Sequence, residues 1–159
     1  MAIILRGLTE CAICGSILQE DQSVRGFPPF VANAADPLYL FCDAGVHEDC
    51  FQDHPRREQV IERLAAIDAL ISPPGVIPRC RICAQELDWD NSWSLPFFTL
   101  DKSDPLFEFN CAEFHKVCLA AWNRRSELCG YLVGLKETWT GPHLEHVLHK
   151  VGCTETQTP

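Results

Sequence analysis

The chain is short of basic residues, has no long apolar run, and carries no recognisable catalytic constellation. Thirteen Lys and Arg stand against 22 Asp and Glu, a formal charge of −9. Nucleic-acid binding needs clustered Lys and Arg to neutralise phosphates, so this balance argues against that class. It points instead to a protein partner with a basic face. No stretch approaches the ~20 apolar residues of a membrane-spanning helix, so no membrane partner is expected. Ile3-Ile4-Leu5 is followed at once by Arg6, too short a run for a secretory leader. A cytoplasmic protein is the expectation. Asp101, Asp104, Glu108 and Glu113 are scattered. There is no catalytic carboxylate pair, no nucleophile beside a base, and no glycine-rich phosphate loop.

What the chain does have is cysteine, ten in 159 residues. Without a leader, reduced thiols and metal are favoured over disulfides. The cysteines fall into a pattern that occurs twice. Cys11-Ala-Ile-Cys14 is followed by His47-Glu-Asp-Cys50, and Cys80-Arg-Ile-Cys83 by His115-Lys-Val-Cys118. Each copy supplies three thiols and one imidazole, the number and kind of ligands a closed tetrahedral zinc site takes. The cofactor expectation is two structural zinc ions. A thioredoxin-like redox pair is the rival, but it needs a strand-to-helix junction in a βαβ unit and leaves His-x-x-Cys unexplained. A catalytic zinc needs an open position, and four protein ligands leave none.

The repeat extends beyond the ligands. Adding 68 carries Asp36-Pro37-Leu38 onto Asp104-Pro105-Leu106, Phe41 onto Phe109, His47 onto His115, Cys50 onto Cys118, and Arg56-Arg57 onto Arg124-Arg125. The Cys-x-Ile-Cys pairs need 69, so one residue has been gained or lost between Cys14 and Asp36 or between Cys83 and Asp104. The same shift places Cys42 on Asn110 and Asp43 on Cys111, which leaves Cys42 and Cys111 outside the shared ligand set. They read as small buried thiols, with an exchanging ligand as the alternative. Cys129 and Cys153 have no counterparts and read as ordinary core or tail cysteines.

The fold class expected is α+β: two tandem pseudo-symmetric zinc-binding units with short β-hairpins and helices. Residues 1–72 form the first repeat, 73–79 a Pro-rich linker, 80–152 the second repeat and 153–159 a frayed tail. A 70-residue unit buries a thin core, and a metal would staple it. Residues 1–10 read as a short strand or lead-in. Gly15 should relieve the knuckle turn. Brief strands are expected at 39–41 and 106–109. His47 and Cys50 share one face of a helical turn that Pro55 curtails. Val60, Ile61, Leu64, Ile67 and Ile71 predict a helix over 55–71. The second copy should have a helix from about His115, and a last helix should run from Pro142 to before Gly152.

Other features have plain readings. His143, His146 and His149 fall on the solvated face of that last helix, opposite Leu144, Val147, Leu148 and Val151; a metal site is the alternative. Trp89, Trp93, Phe97 and Phe98 read as the core of the second repeat, with a partner patch as the alternative. The paired arginines should meet carboxylates at the surface.

At its ligands the chain resembles the first metal site of RING-H2 fingers, which belong to the treble-clef group of zinc folds. Cys111-Ala-Glu-Phe-His115-Lys-Val-Cys118-Leu119-Ala-Ala-Trp122 is similar to that family's C-x-H-x-x-H-x-x-C-[IL]-x-x-W segment, one residue shorter and lacking its second histidine. The resemblance covers about 40 residues in each copy and implies treble-clef-like units. It implies contact with a ubiquitin-conjugating enzyme through Ile82 and Trp122, and Ile13 matches the first of these; His54 stands where the tryptophan would be. The second, interleaved RING zinc site has no ligands here. Two functions follow. One is a zinc-stabilised protein–protein interaction module without chemistry of its own, an adaptor or a small acidic protein that neutralises its partner as immunity and antitoxin proteins do. The other is a RING-like ligase component that recruits a ubiquitin-conjugating or ubiquitin-like-conjugating enzyme.

Overall fold

A computed structural model describes residues 2–71 and 73–153. The expected frayed tail over 154–159 lies outside them, as does Ser72 at the edge of the expected linker. The fold is α+β and built twice. In the first unit β1 (Val24–Gly26) pairs antiparallel with β2 (Gly45–His47), followed by the short helix α1 (Glu48–Gln52) and by α2 (Arg57–Asp68). In the second, β3 (Ser92–Ser94) pairs with β4 (Glu113–His115), followed by α3 (Lys116–Ala120) and α4 (Arg125–Gly134). A last helix, α5 (His143–Val151), has no counterpart in the first unit and packs on α4. Among the described residues no helix is long and apolar enough to cross a membrane.

The register of the repeat is visible in the backbone. Val24 pairs with His47 and Ser92 with His115, both 68 apart. The bridges Glu10–Ile17 and Arg79–Glu86 are 69 apart. The one-residue difference therefore lies between Ile17 and Val24 in the first unit and between Glu86 and Ser92 in the second. Asp43 and Cys111 share a left-handed backbone, φ 52° and 50°, and donate their N–H groups to Pro28 and Pro96 at 3.2 Å each.

Each unit has its own apolar cluster. Leu18, Phe41, Val46, Phe51 and Val60 are fully buried in the first. Phe109, Phe114, Leu119, Leu128 and Leu132 fill the second, where Leu144, Val147, Leu148 and Val151 of α5 join them. That buried face of α5 is as expected, and Gly152 ends the helix in the left-handed conformation (φ 75°).

The expected strands at 39–41 and 106–109 are corrected: both stretches are 3-10 turns, Tyr39–Phe41 and Pro105–Phe109. The Asp-Pro-Leu motif is the cause. Asp36 and Asp104 each accept the N–H two residues on, at 2.8 Å, and so coil the chain before an extended run can form. The helix expected over 55–71 starts two residues late and ends three early. The lead-in holds one bridge, at Glu10, rather than a strand. Cys129 and Cys153, expected to be unpaired, form a disulfide that ties α4 to the end of α5. Phe97 is buried and Trp93 and Phe98 pack against the second core, but Trp89 is 75% exposed and is not core.

Candidate metal centres

The eight ligand candidates come together as two groups of four. Cys11, Cys14, His47 and Cys50 form one, and Cys80, Cys83, His115 and Cys118 the other; within each group the donor atoms lie within 4.8 Å of one another. Each group can hold one metal ion.

Two pieces of chain build each site. The first is the knuckle. Gly15 donates to the Cys11 carbonyl and Ala84 to the Cys80 carbonyl, both at 2.8 Å, which closes the turn. Both take a left-handed backbone, φ 75° and 57°. Glycine does so freely; Ala84 does so under strain. The knuckle docks on the hairpin through Ala12 N–H to Gly45 O at 3.0 Å and Arg81 N–H to Glu113 O at 2.9 Å. The second piece is the strand-to-helix junction. His47 and His115 are the N-cap residues of α1 and α3, with matching φ of −64° and −65°. Three residues on, Cys50 and Cys118 come back onto the same face.

The imidazoles are oriented by their distal nitrogens. Nδ1 of His47 lies 3.5 Å from Cys14 Sγ and 3.8 Å from Cys50 Sγ. Nδ1 of His115 lies 3.4 Å from Cys83 Sγ and 3.8 Å from Cys118 Sγ. Nε2 of His47 meets Gln22 Oε1 at 2.8 Å, and Nε2 of His115 meets the Glu86 carbonyl at 3.0 Å. Those acceptors require the proton on Nε2 and leave the Nδ1 lone pair for a metal. The sequence reading missed both acceptors. Each lies close to the one-residue length difference, which is why their identities differ.

Electrostatics divides the thiols. The Cys14 thiol is pulled down to about 6, chiefly by the backbone N–H of Ser16. Burial opposes ionisation of Cys80, but the N–H groups of Cys83, His115 and Ile82 outweigh it and bring it to about 6. Burial first, then the neighbouring cysteines, pushes Cys50 and Cys118 up to about 11. Cys14 and Cys80 are thus poised to ionise, whereas Cys50 and Cys118 ionise only against a cation.

Cys42 and Cys111 belong to neither cluster, in line with their non-equivalence. The Cys42 thiol donates to Val31 O at 3.0 Å, and burial pushes Cys111 up to about 11. Of the paired arginines, Arg57 meets Glu58, and Arg124 meets Glu108 at 2.6 Å and Glu127 at 2.8 Å.

Beside the second cluster, Ile82, Val117, Ala121 and Trp122 line a shallow groove of about 400 Å³. Val117 is 75% exposed, and the sequence reading passed over it. The inner side of Trp122 packs on Phe109 and Phe114, with ring centres 5.8 and 5.7 Å away. At the matching positions the first unit has Ile13, Asp49, Asp53 and His54. His54 stacks edge-on against Phe41 at 4.9 Å, as Trp122 does on Phe109, so the two fill one structural position with different chemistry. No protein-family model matches the chain, and no curated protein or solved structure is detectably similar to it.

Proposed function

We propose that each cluster holds one structural zinc, that the two units are treble-clef-like, and that the protein is a protein–protein interaction module that docks its partner in the groove beside the second zinc. The donor set and spacing support the metal. Tetrahedral zinc with bonds near 2.3 Å to sulfur and 2.0–2.1 Å to nitrogen sets sulfur and nitrogen about 3.6 Å apart, against 3.4–3.8 Å here. Cys14 and Cys83 are exposed, yet four protein donors fill the coordination sphere. Such a metal holds the fold and leaves function to the surface.

The groove carries the docking proposal. One unit presents Ile82, Val117, Ala121 and Trp122 where the other presents Ile13, Asp49, Asp53 and His54, so the apolar surface belongs to one copy alone. Tryptophan in a groove is the kind of anchor that dominates interface energies. The −9 charge selects a partner that is basic around the apolar contact. Val117→Asp in zinc-loaded protein should abolish capture of that partner from host extract while leaving the metal count at two. Ile13→Ala should leave capture intact. Equal capture by wild type and Val117→Asp removes the groove from the function.

A RING-like ligase component is the second reading. Ile82 and Trp122, the two positions that the RING-H2 resemblance assigns to the conjugating enzyme, line the same groove, and that favours it. The lack of a second interleaved site weighs against it, since Cys129 is paired with Cys153. Ubiquitin discharge from a charged conjugating enzyme, abolished by Ile82→Ala and Trp122→Ala in folded protein, separates this reading from an adaptor.

A further inference from the structure

The two units meet across a cleft of about 630 Å³ that contains no residue of either metal cluster or of the groove beside the second one. Its volume falls in the roughly 300–1,000 Å³ range of small-molecule sites. Phe30 and Val31 of the first unit and Leu95 and Phe97 of the second give it an apolar floor. One wall is α5, where His143, His146 and Lys150 recur on one face and all line the cleft. Asp43 lines it from the first unit.

The α5 wall is a concentration of basic groups in an acidic protein. The His143 and His146 rings are 6.3 Å apart. Burial, then His146 and Lys150, depress the His143 pKa, with no carboxylate among the influences on it. Lys150 forms no ion pair among the described residues. Its ammonium lies 4.5 Å from the Trp93 ring, a contact that fixes the side chain without neutralising it. The acidic residue of the helix, Glu145, pairs with Lys136 at 3.4 Å instead. A chain of charge −9 thus gathers His143, His146 and Lys150 on one wall of this cleft, with no ion pair to any of them among the described residues.

We infer that this cleft binds a small organic anion, its carboxylate or phosphate head against His143, His146 and Lys150 and its apolar body on Phe30, Val31, Leu95 and Phe97. Asp43 repels the head, which keeps it at the α5 wall. A hydroxyl or amine on the body can donate to Asp43.

The test is a ¹H–¹⁵N titration of the full zinc-loaded chain with 4-phenylbutyrate, phenyl phosphate and the neutral 4-phenylbutanamide. Saturable shifts at Val31, Phe97 and Val147 are expected with at least one anion, and whichever anion binds more tightly identifies the head. The amide should bind at least about tenfold more weakly, the size of one charged hydrogen bond. Lys150→Met keeps the stem on Trp93 and should cost about tenfold in anion affinity, with Lys150→Arg restoring it. If Lys150→Met disturbs the spectrum, His146→Gln carries the same test. Equal binding of amide and acids, full affinity in the folded variant, or no saturable shift with either anion overturns the proposal.

Discussion

The side-chain oxygen of Gln22 lies 2.8 Å from Nε2 of His47, while the matching imidazole, His115, is held by the Glu86 main-chain carbonyl at 3.0 Å. One site thus depends on a side chain that mutation can remove, and the other does not. Gln22→Ala should weaken zinc at the first site by about 10–100-fold, the usual effect of losing such a partner. Glu86→Ala should leave the second unchanged. Competition with a chromophoric chelator reads both: the Gln22 variant should release its zinc in two separated steps.

The knuckles offer a paired test of backbone strain. Gly15 and Ala84 take φ 75° and 57° at the same point of the turn, and a Cβ at Gly15 would meet nothing within 4 Å. Any cost of Gly15→Ala is therefore conformational and should be about 1 kcal/mol destabilising. Ala84→Gly relieves the same strain but adds freedom to the unfolded chain, so it should be neutral or stabilise by less than about 1 kcal/mol. Urea unfolding at fixed free zinc measures both; a loss on Ala84→Gly as large as that on Gly15→Ala would refute this account.

The eight clustering side chains were legible because tetrahedral coordination demands particular residue types at short spacings, and the pattern occurs twice. The helix bearing Val60 and Leu64 was legible for a similar reason, although of its predicted stripe only Val60 is fully buried and Ile61 and Ile71 are exposed. The turns at Tyr39–Phe41 and Pro105–Phe109 were misread because aromatic and aliphatic runs suit strands, and the Asp-Pro capping that overrides them depends on one hydrogen bond. The Cys129–Cys153 pair was invisible because only the packing of α5 on α4 brings those positions together. The Val117 groove was missed because an exposed valine in a short helix has no signature until Ile82 and Trp122 are seen beside it.

That disulfide should carry measurable stability. Its sequence separation is 24 residues, and on the chain-entropy account a loop of that size contributes about 3.5 kcal/mol. Cys153→Ser should lower urea stability by about that amount and loosen α5, with Leu144, Val147 and Leu148 losing amide protection first. Substitution is a cleaner test than a reductant, which would compete for metal. The intact mass of unreduced wild type, two hydrogens lighter than the reduced chain, checks the bond itself; a mass matching ten free thiols rejects it.

The two units have separate apolar cores, so loss of one metal should be local. A structural zinc contributes roughly 10–16 kcal/mol of apparent binding energy in small finger peptides, comparable to or above the roughly 5–15 kcal/mol that holds a whole domain. A unit deprived of it should unfold. Cys83→Ser should therefore bind one zinc by native mass spectrometry and lose dispersed methyl signals from Leu119, Leu128 and Val147, which share the second core. Signals from Leu18, Val46 and Val60 in the first core should persist. The ties between the units include Ala34 N–H to Thr140 O at 3.1 Å and Thr140 N–H to Asn33 Oδ1 at 2.9 Å. They also include the Arg63 guanidinium 5.2 Å from the Phe97 ring. These contacts are each worth about 1 kcal/mol, too little to carry the collapse of one core into the other. Loss of both sets of signals in Cys83→Ser would instead show that the two units fold as one.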